Sequence, residues 1–116
     1  MNAVRRAARP AATPVVDIAA ARILRALTRR GRYRYVQPRL LPLDGGWKIV
    51  SPNCSRRVDP AGGEIDIAWL RPLPDGQWQL HSRDHGQACW QLEAAALPLD
   101  AALAQLCEDA LGRFWP

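Results

Sequence analysis

EIDIAWLRPLPDGQWQLHSRDHGQACWQL, residues 64–92, is the stretch whose reading decides the fold. From Glu64 to Arg71 apolar and polar residues alternate, with Ile65, Ile67 and Trp69 on one side and Glu64 and Asp66 on the other. That is the period of a half-buried strand. Two more short runs follow, around Trp78-Gln79-Leu80 and Trp90-Gln91-Leu92, separated by turn residues. If Trp69 and Trp78 face one core, the first loop must be even: Pro72 to Asp75, pairing Arg71 with Gly76, Trp69 with Trp78 and Ile67 with Leu80. If Trp78 and Leu80 share that face with Trp90 and Leu92, the second loop must be odd. Asp84-His85-Gly86 fits, with Gly86 at the left-handed position, Leu80 opposite Trp90 and His81 opposite Cys89. Trp78 and Trp90 are then core anchors.

Working outward, Arg32 to Leu41 begins as an alternating run and carries Pro38, followed by Pro42, which suits a bent or edge strand. Asp44-Gly45-Gly46 is a turn, Trp47 to Ser51 a strand, and residues 52–63 a loop. Upstream, Thr13 and Pro14 read as N-cap and first helical residue. Val16, Ala20, Ile23 and Leu27 recur at helical spacing with Leu24 beside them, Arg22, Arg25 and Arg29 lie on another face, and Gly31 ends the helix. Downstream, Pro98 opens a second helix with a stripe of Leu99, Leu103, Leu106 and Ala110, flanked by Cys107 and Leu111 and ended by Gly112. Phe114-Trp115 beyond the stop folds back onto the body. The expectation is an α+β domain over residues 13–116, preceded by a disordered basic arm over residues 1–12. It comprises an N-terminal helix, a five-stranded, strongly bent antiparallel sheet forming a half-open, Sm/SH3-like barrel, and a C-terminal helix.

The 116 residues suffice for one domain, with five Trp against one Phe, so a few large rings are expected to dominate the core. Charge is unevenly divided. Residues 1–48 hold eleven basic and two acidic side chains, a net of +9, and residues 49–116 hold five basic and nine acidic, a net of −4. Such a field steers an anionic partner or pairs with its own opposite end. The three cysteines, Cys54, Cys89 and Cys107, form no disulfide pattern, and a reduced, cytoplasmic setting suits them. No apolar run approaches the ~18 residues of a membrane span. Pro10, Pro14 and Asp17 break up the apolar region that a signal peptide would need after Arg5, Arg6 and Arg9.

Trp78-x-Leu80, then Arg83, Gly86 and Trp90, then an acidic-flanked helix and the ending Gly112-Arg113-Phe114-Trp115, resemble a bacterial family known only as a domain of unknown function, serial 3024. The likeness covers roughly Gly63 to Trp115, with support from Arg29-Arg30. His81-Ser82 stands where the family has an aromatic pair. The resemblance implies no activity. The element order is also similar to the Sm-like fold, whose members form rings or smaller oligomers and often bind RNA; neither of its signature motifs is present, and the trailing helix is a departure.

Candidate chemistry is sparse. His81, His85 and Cys89 are spaced as metal ligands sometimes are, but zinc takes four ligands, or three and a water, and only Asp84 could add to the pair. A Cys–His nucleophile would lack an oxyanion site and a pocket. Glu64 and Asp66 read as a solvated strand face, and neither Gly45-Gly46 nor Gly62-Gly63 has the Lys or following helix of a phosphate loop. The basic set is Arg22, Arg25, Arg29, Arg30, Arg32, Arg34 and Arg39, interleaved with Tyr33 and Tyr35. This is the composition of a nucleic-acid groove, and also of a solvated helix face beside core tyrosines. The sequence therefore favours a non-enzymatic interaction module without cofactor or metal. Its expected partner is another protein or a second copy, as a dimer through a sheet edge or the open barrel face. The alternative is RNA or single-stranded DNA bound by the Arg-rich helix and first strand.

Overall fold

A computed structural model of the protein describes residues 17–29, 37–52 and 63–115. In chain order the elements are α1 (Ile18–Thr28), β1 (Arg39–Leu43), β2 (Gly46–Pro52), β3 (Glu64–Pro72), β4 (Trp78–Asp84), β5 (Cys89–Leu97) and α2 (Leu99–Glu108). The five strands form one antiparallel meander, each paired with the next in sequence. β1 and β5 do not pair, so the sheet is open. This is the α+β architecture expected, with a helix at each end.

The local chemistry departs from expectation in instructive places. Within the described residues α1 is capped by Asp17, whose backbone is extended (φ −81°, ψ 95°) and whose carboxylate accepts from the Ala20 N–H at 2.8 Å. The described helix starts at Ile18; the expected start at Thr13 and Pro14 lies outside the described residues, as do the basic arm, Gly31 and Cys54. The first strand is Arg39–Leu43, and the Arg32–Val36 part of its expected range is outside the described residues too. Asp44 and Gly45 form a two-residue hairpin turn, with φ of 46° and 80°, closing between Leu43 and Gly46.

The largest correction concerns the face to which the tryptophans point. Ile49 pairs with Ala68 but Val50 pairs with Asp66, leaving Ile67 as an extra residue in β3. This bulge reverses the alternation. Ile65 and Ile67 are buried before it, Ala68 and Leu70 after it, and Trp69 moves to the opposite face. The loop to β4 then has five residues rather than four: Pro72 pairs with Trp78, Leu70 with Leu80 and Trp69 with His81. The next turn has four residues, not three. Asp84 pairs with Cys89, Arg83 with Trp90 and His81 with Leu92, so Trp90 and Leu92 also leave the core face. Gly86 has no positive φ; Ala88 takes the left-handed conformation at 54°. The premise that every tryptophan of this stretch must face inward is what misled the register.

The core is consequently aliphatic. Ile23 and Leu27 of α1 and Leu99, Ala102, Leu103 and Leu106 of α2 close over Ile49, Ile65, Ile67, Ala68, Leu70 and Leu80, with Trp47 and Trp78 packed partly buried against them. Trp78 thus holds its expected face, and Trp90 does not. α2 ends earlier than Gly112: Asp109 is its left-handed cap, and Leu111 is 77% exposed. Phe114 and Trp115 do fold back, buried to 4% and 2% exposure. The Asp109 carboxylate fixes them by accepting the backbone N–H groups of Arg113, Phe114 and Trp115 at 2.7, 3.1 and 3.0 Å. The Trp115 indole donates to the Leu106 carbonyl at 3.0 Å. Among the described residues no helix is long and apolar enough to cross a membrane.

Candidate interaction surface on the sheet

Both helices pack on one face of the sheet, and alternation from the bulge places a polar and aromatic set on the other: Lys48 of β2, Asp66, Trp69 and Arg71 of β3, His81 and Arg83 of β4, and Trp90 and Leu92 of β5. Trp69 is the centre. Its indole N–H is anchored to the Leu43 carbonyl at 3.1 Å. The His81 ring stacks on it at 4.6 Å and 26°, and Trp90 lies 6.0 Å away at 47°. The Arg83 guanidinium sits 4.8 Å over Trp90, and that of Arg71 5.9 Å over Trp69. Asp66 is shared by Lys48 at 3.2 Å and Arg83 at 3.7 Å. Two cations therefore share one carboxylate, beside a stacked Trp69–His81 pair with Trp90 tilted against it, and Arg71 has no carboxylate partner among the described residues.

Burial lowers the pKa of His81, assisted by the Arg71 charge, while the Trp69 backbone pulls the other way without closing a bond to Nδ1. Burial and then Arg83 lower the pKa of His85 at the hairpin tip, against the opposing Asp66 and Asp84. Both imidazoles thus favour the neutral form, and the face owes its positive character to Lys48, Arg71 and Arg83.

The residues singled out in the sequence are dispersed. Arg22 is hydrogen-bonded to Asp100 of α2. Arg39 makes a two-point contact with Glu64 at 2.9 and 2.6 Å, which holds the Glu64 carboxyl below the usual carboxylate range and raises Arg39. Arg25 and Arg29, with no carboxylate partner among the described residues, line an open groove of about 640 Å³ between α1 and α2, floored by Ala26, Leu103 and Cys107. Arg30, Arg32, Arg34, Tyr33 and Tyr35 lie outside the described residues. His81 and Cys89 are not opposed, since their partners are Leu92 and Asp84. Cys89 is an exposed thiol, and the Cys107 thiol packs between the helices, 3.6 Å from the Ala26 carbonyl. Among the described residues no three His, Cys, Asp or Glu side chains are grouped to hold a metal ion.

The sequence reading missed Trp69, Arg71, Arg83 and Trp90 as a surface. The signal was present: Ile65-x-Ile67 and Ala68-x-Leu70 are two apolar runs of opposite phase, and Arg71 and Arg83 share strand parity with Trp69 and His81. A protein-family profile described as Domain of unknown function (DUF3024) matches residues 11–116. The chain belongs to this family. The DUF3024 match extends the likeness from residue 63 back to residue 11, so α1 and β1 belong to the family's domain as well as the Trp-rich hairpins. No curated protein and no solved structure matches this DUF3024 chain, so nothing carries the expected Sm-like relation.

Proposed function

We propose that this domain is a non-enzymatic interaction module that meets its partner across the outer face of the sheet. The observation that carries this is the Trp69–His81–Trp90 cluster, roofed by Arg71 and Arg83 on a face that neither helix covers. Trp and Arg are the residue types that concentrate binding energy at interfaces. The charge division between the halves of the chain gives less direction than the sequence implied. Arg22–Asp100, Arg39–Glu64 and Lys48–Asp66 each join the basic half to the acidic half within one molecule. A second copy is therefore not needed to answer the charge. The same pairs occupy Arg22 and Arg39, so recognition by the Arg-rich helix and first strand rests on Arg25, Arg29 and residues outside those described.

Affinity capture from a cell lysate, read for both protein and nucleic acid, tests the reading with three baits. Whatever the wild type retains should be lost with Arg71→Gln/Arg83→Gln and kept with Arg25→Gln/Arg29→Gln. Retention that depends on the helix pair and ignores the sheet pair would refute it.

A further inference from the structure

The reading of the outer face as the contact surface leaves its partner open, and this inference rests on that reading. We infer that the partner is a single-stranded nucleic acid, its bases stacking on the Trp69–His81–Trp90 cluster and its phosphates lying along Lys48, Arg71 and Arg83.

Three features of the face select this chemistry. The first is charge. Lys48, Arg71 and Arg83 outnumber the central carboxylate of Asp66 by two, and both nearby imidazoles favour the neutral form. A polyanion gains from such a field by releasing its counterions. The second is shape. Trp69 and His81 on the middle strands β3 and β4 stack at 26°, Trp90 on the edge strand β5 extends the ring surface at a 47° tilt, and the Arg83 guanidinium, 4.8 Å over Trp90, adds a further plane on which a base can lie. A duplex keeps its base faces inside its own stack and offers nothing to such a platform. The third is that, among the described residues, the exposed apolar surface of this face is not contiguous. Trp69, His81 and Trp90 are each only partly exposed because they cover one another, and Leu92 is the strongly exposed large apolar residue on this face at 54%. A protein interface of ordinary size has an apolar centre; this surface is a mosaic of rings and charges.

The test titrates fluorescein-labelled 12-mer oligothymidylate with the whole protein, followed by anisotropy, with a 12-bp duplex as comparison. Three phosphate contacts at about −0.7 each predict a log–log salt slope of roughly −2, or about 20-fold weaker binding between 50 and 200 mM salt. Arg71→Gln/Arg83→Gln should flatten the slope to about −0.7. Trp90→Ala should weaken binding by about 5- to 150-fold, the range for loss of one stacked base. Arg25→Gln/Arg29→Gln should leave both quantities unchanged. If Trp90→Ala does not fold, the indole ¹⁵N–¹H resonances of the wild type decide: those of Trp69 and Trp90 should move on titration, and those of Trp47, Trp78 and Trp115 should not.

Duplex binding as tight as single-strand binding would overturn the inference, as would a slope governed by Arg25 and Arg29. Absence of oligonucleotide binding at 50 mM salt would overturn it too. In that last case, a sheet-dependent protein partner or concentration-dependent mass by sedimentation would show that the outer face is a contact surface and that only its assigned partner is wrong. Loss of every sheet-dependent interaction would remove the underlying reading as well.

Discussion

Removing the Asp109 carboxylate should release the C-terminal tail. Asp109 is 4% exposed, takes a left-handed φ of 46°, and accepts three consecutive tail N–H groups. Asp109→Ala strands the Phe114 and Trp115 donors, which are buried, at about 1–3 kcal/mol each. It also places a residue without a local hydrogen-bonding side chain in the left-handed region, at about 1–2 kcal/mol. Undocking the tail limits the loss, so the expected total is about 4 kcal/mol, a large share of the ~5–15 kcal/mol of a typical domain. Asp109→Gly still lacks the acceptor but relieves the backbone, and should recover about 1 kcal/mol. Asp109→Asn retains a carbonyl and a tolerated φ, and should cost about 1–2 kcal/mol. Urea unfolding followed by far-UV circular dichroism gives all three values. An Asp109→Ala midpoint equal to wild type, or Asp109→Gly no better than Asp109→Ala, would refute the reasoning.

Gly46→Ala should disrupt the β2–β3 pairing, because a Cβ there would stand 2.1 Å from the Leu70 carbonyl oxygen and 2.9 Å from the Arg71 Cα. Gly45→Ala, with open space around it but φ +80°, should cost about 1–2 kcal/mol, and chemical denaturation ranks the pair. Leu80→Ala should lose about 2–5 kcal/mol from a fully buried site, clearly more than Trp90→Ala on the outer face; the reverse order would restore the register read from sequence. His81 has a folded pKa below its usual 6.5, so the unfolded chain takes up the proton first. Its contribution to stability is complete above that value and is lost as pH falls through the folded pKa. His81→Gln should therefore flatten the fall in stability between pH 7 and 5, and parallel pH profiles for variant and wild type would count against the buried neutral imidazole.

Much of the architecture is legible in the residues. Helical spacing from Ile23 to Leu27 and from Leu99 to Leu106, turn chemistry at Asp44-Gly45, and Pro98 before α2 all act locally, so their elements form where the pattern says. Phe114-Trp115 folds back because two rings after a helix stop have few other places to bury. Register is different in kind. One extra residue at Ile67 inverts the side chains that follow it in β3, and a bulge leaves no mark beyond the change of phase from Ile65-x-Ile67 to Ala68-x-Leu70. The assumption that tryptophan belongs inside then carries the error through two loops, placing Trp69 and Trp90 in the core and hiding the outer face. The basic residues are conspicuous as a set, but composition cannot say that Arg22 and Arg39 already have Asp100 and Glu64 as partners from distant elements.

The central claim is that the outer face is where the partner sits, whatever its identity. A photo-crosslinking amino acid placed at Leu92, 54% exposed on the outer face, and in a parallel protein at Arg25, tests this in living cells and requires no candidate partner. Irradiation should yield a discrete adduct from position 92 and none from position 25. An adduct from position 25 alone would move the contact surface to the helix groove and contradict the account.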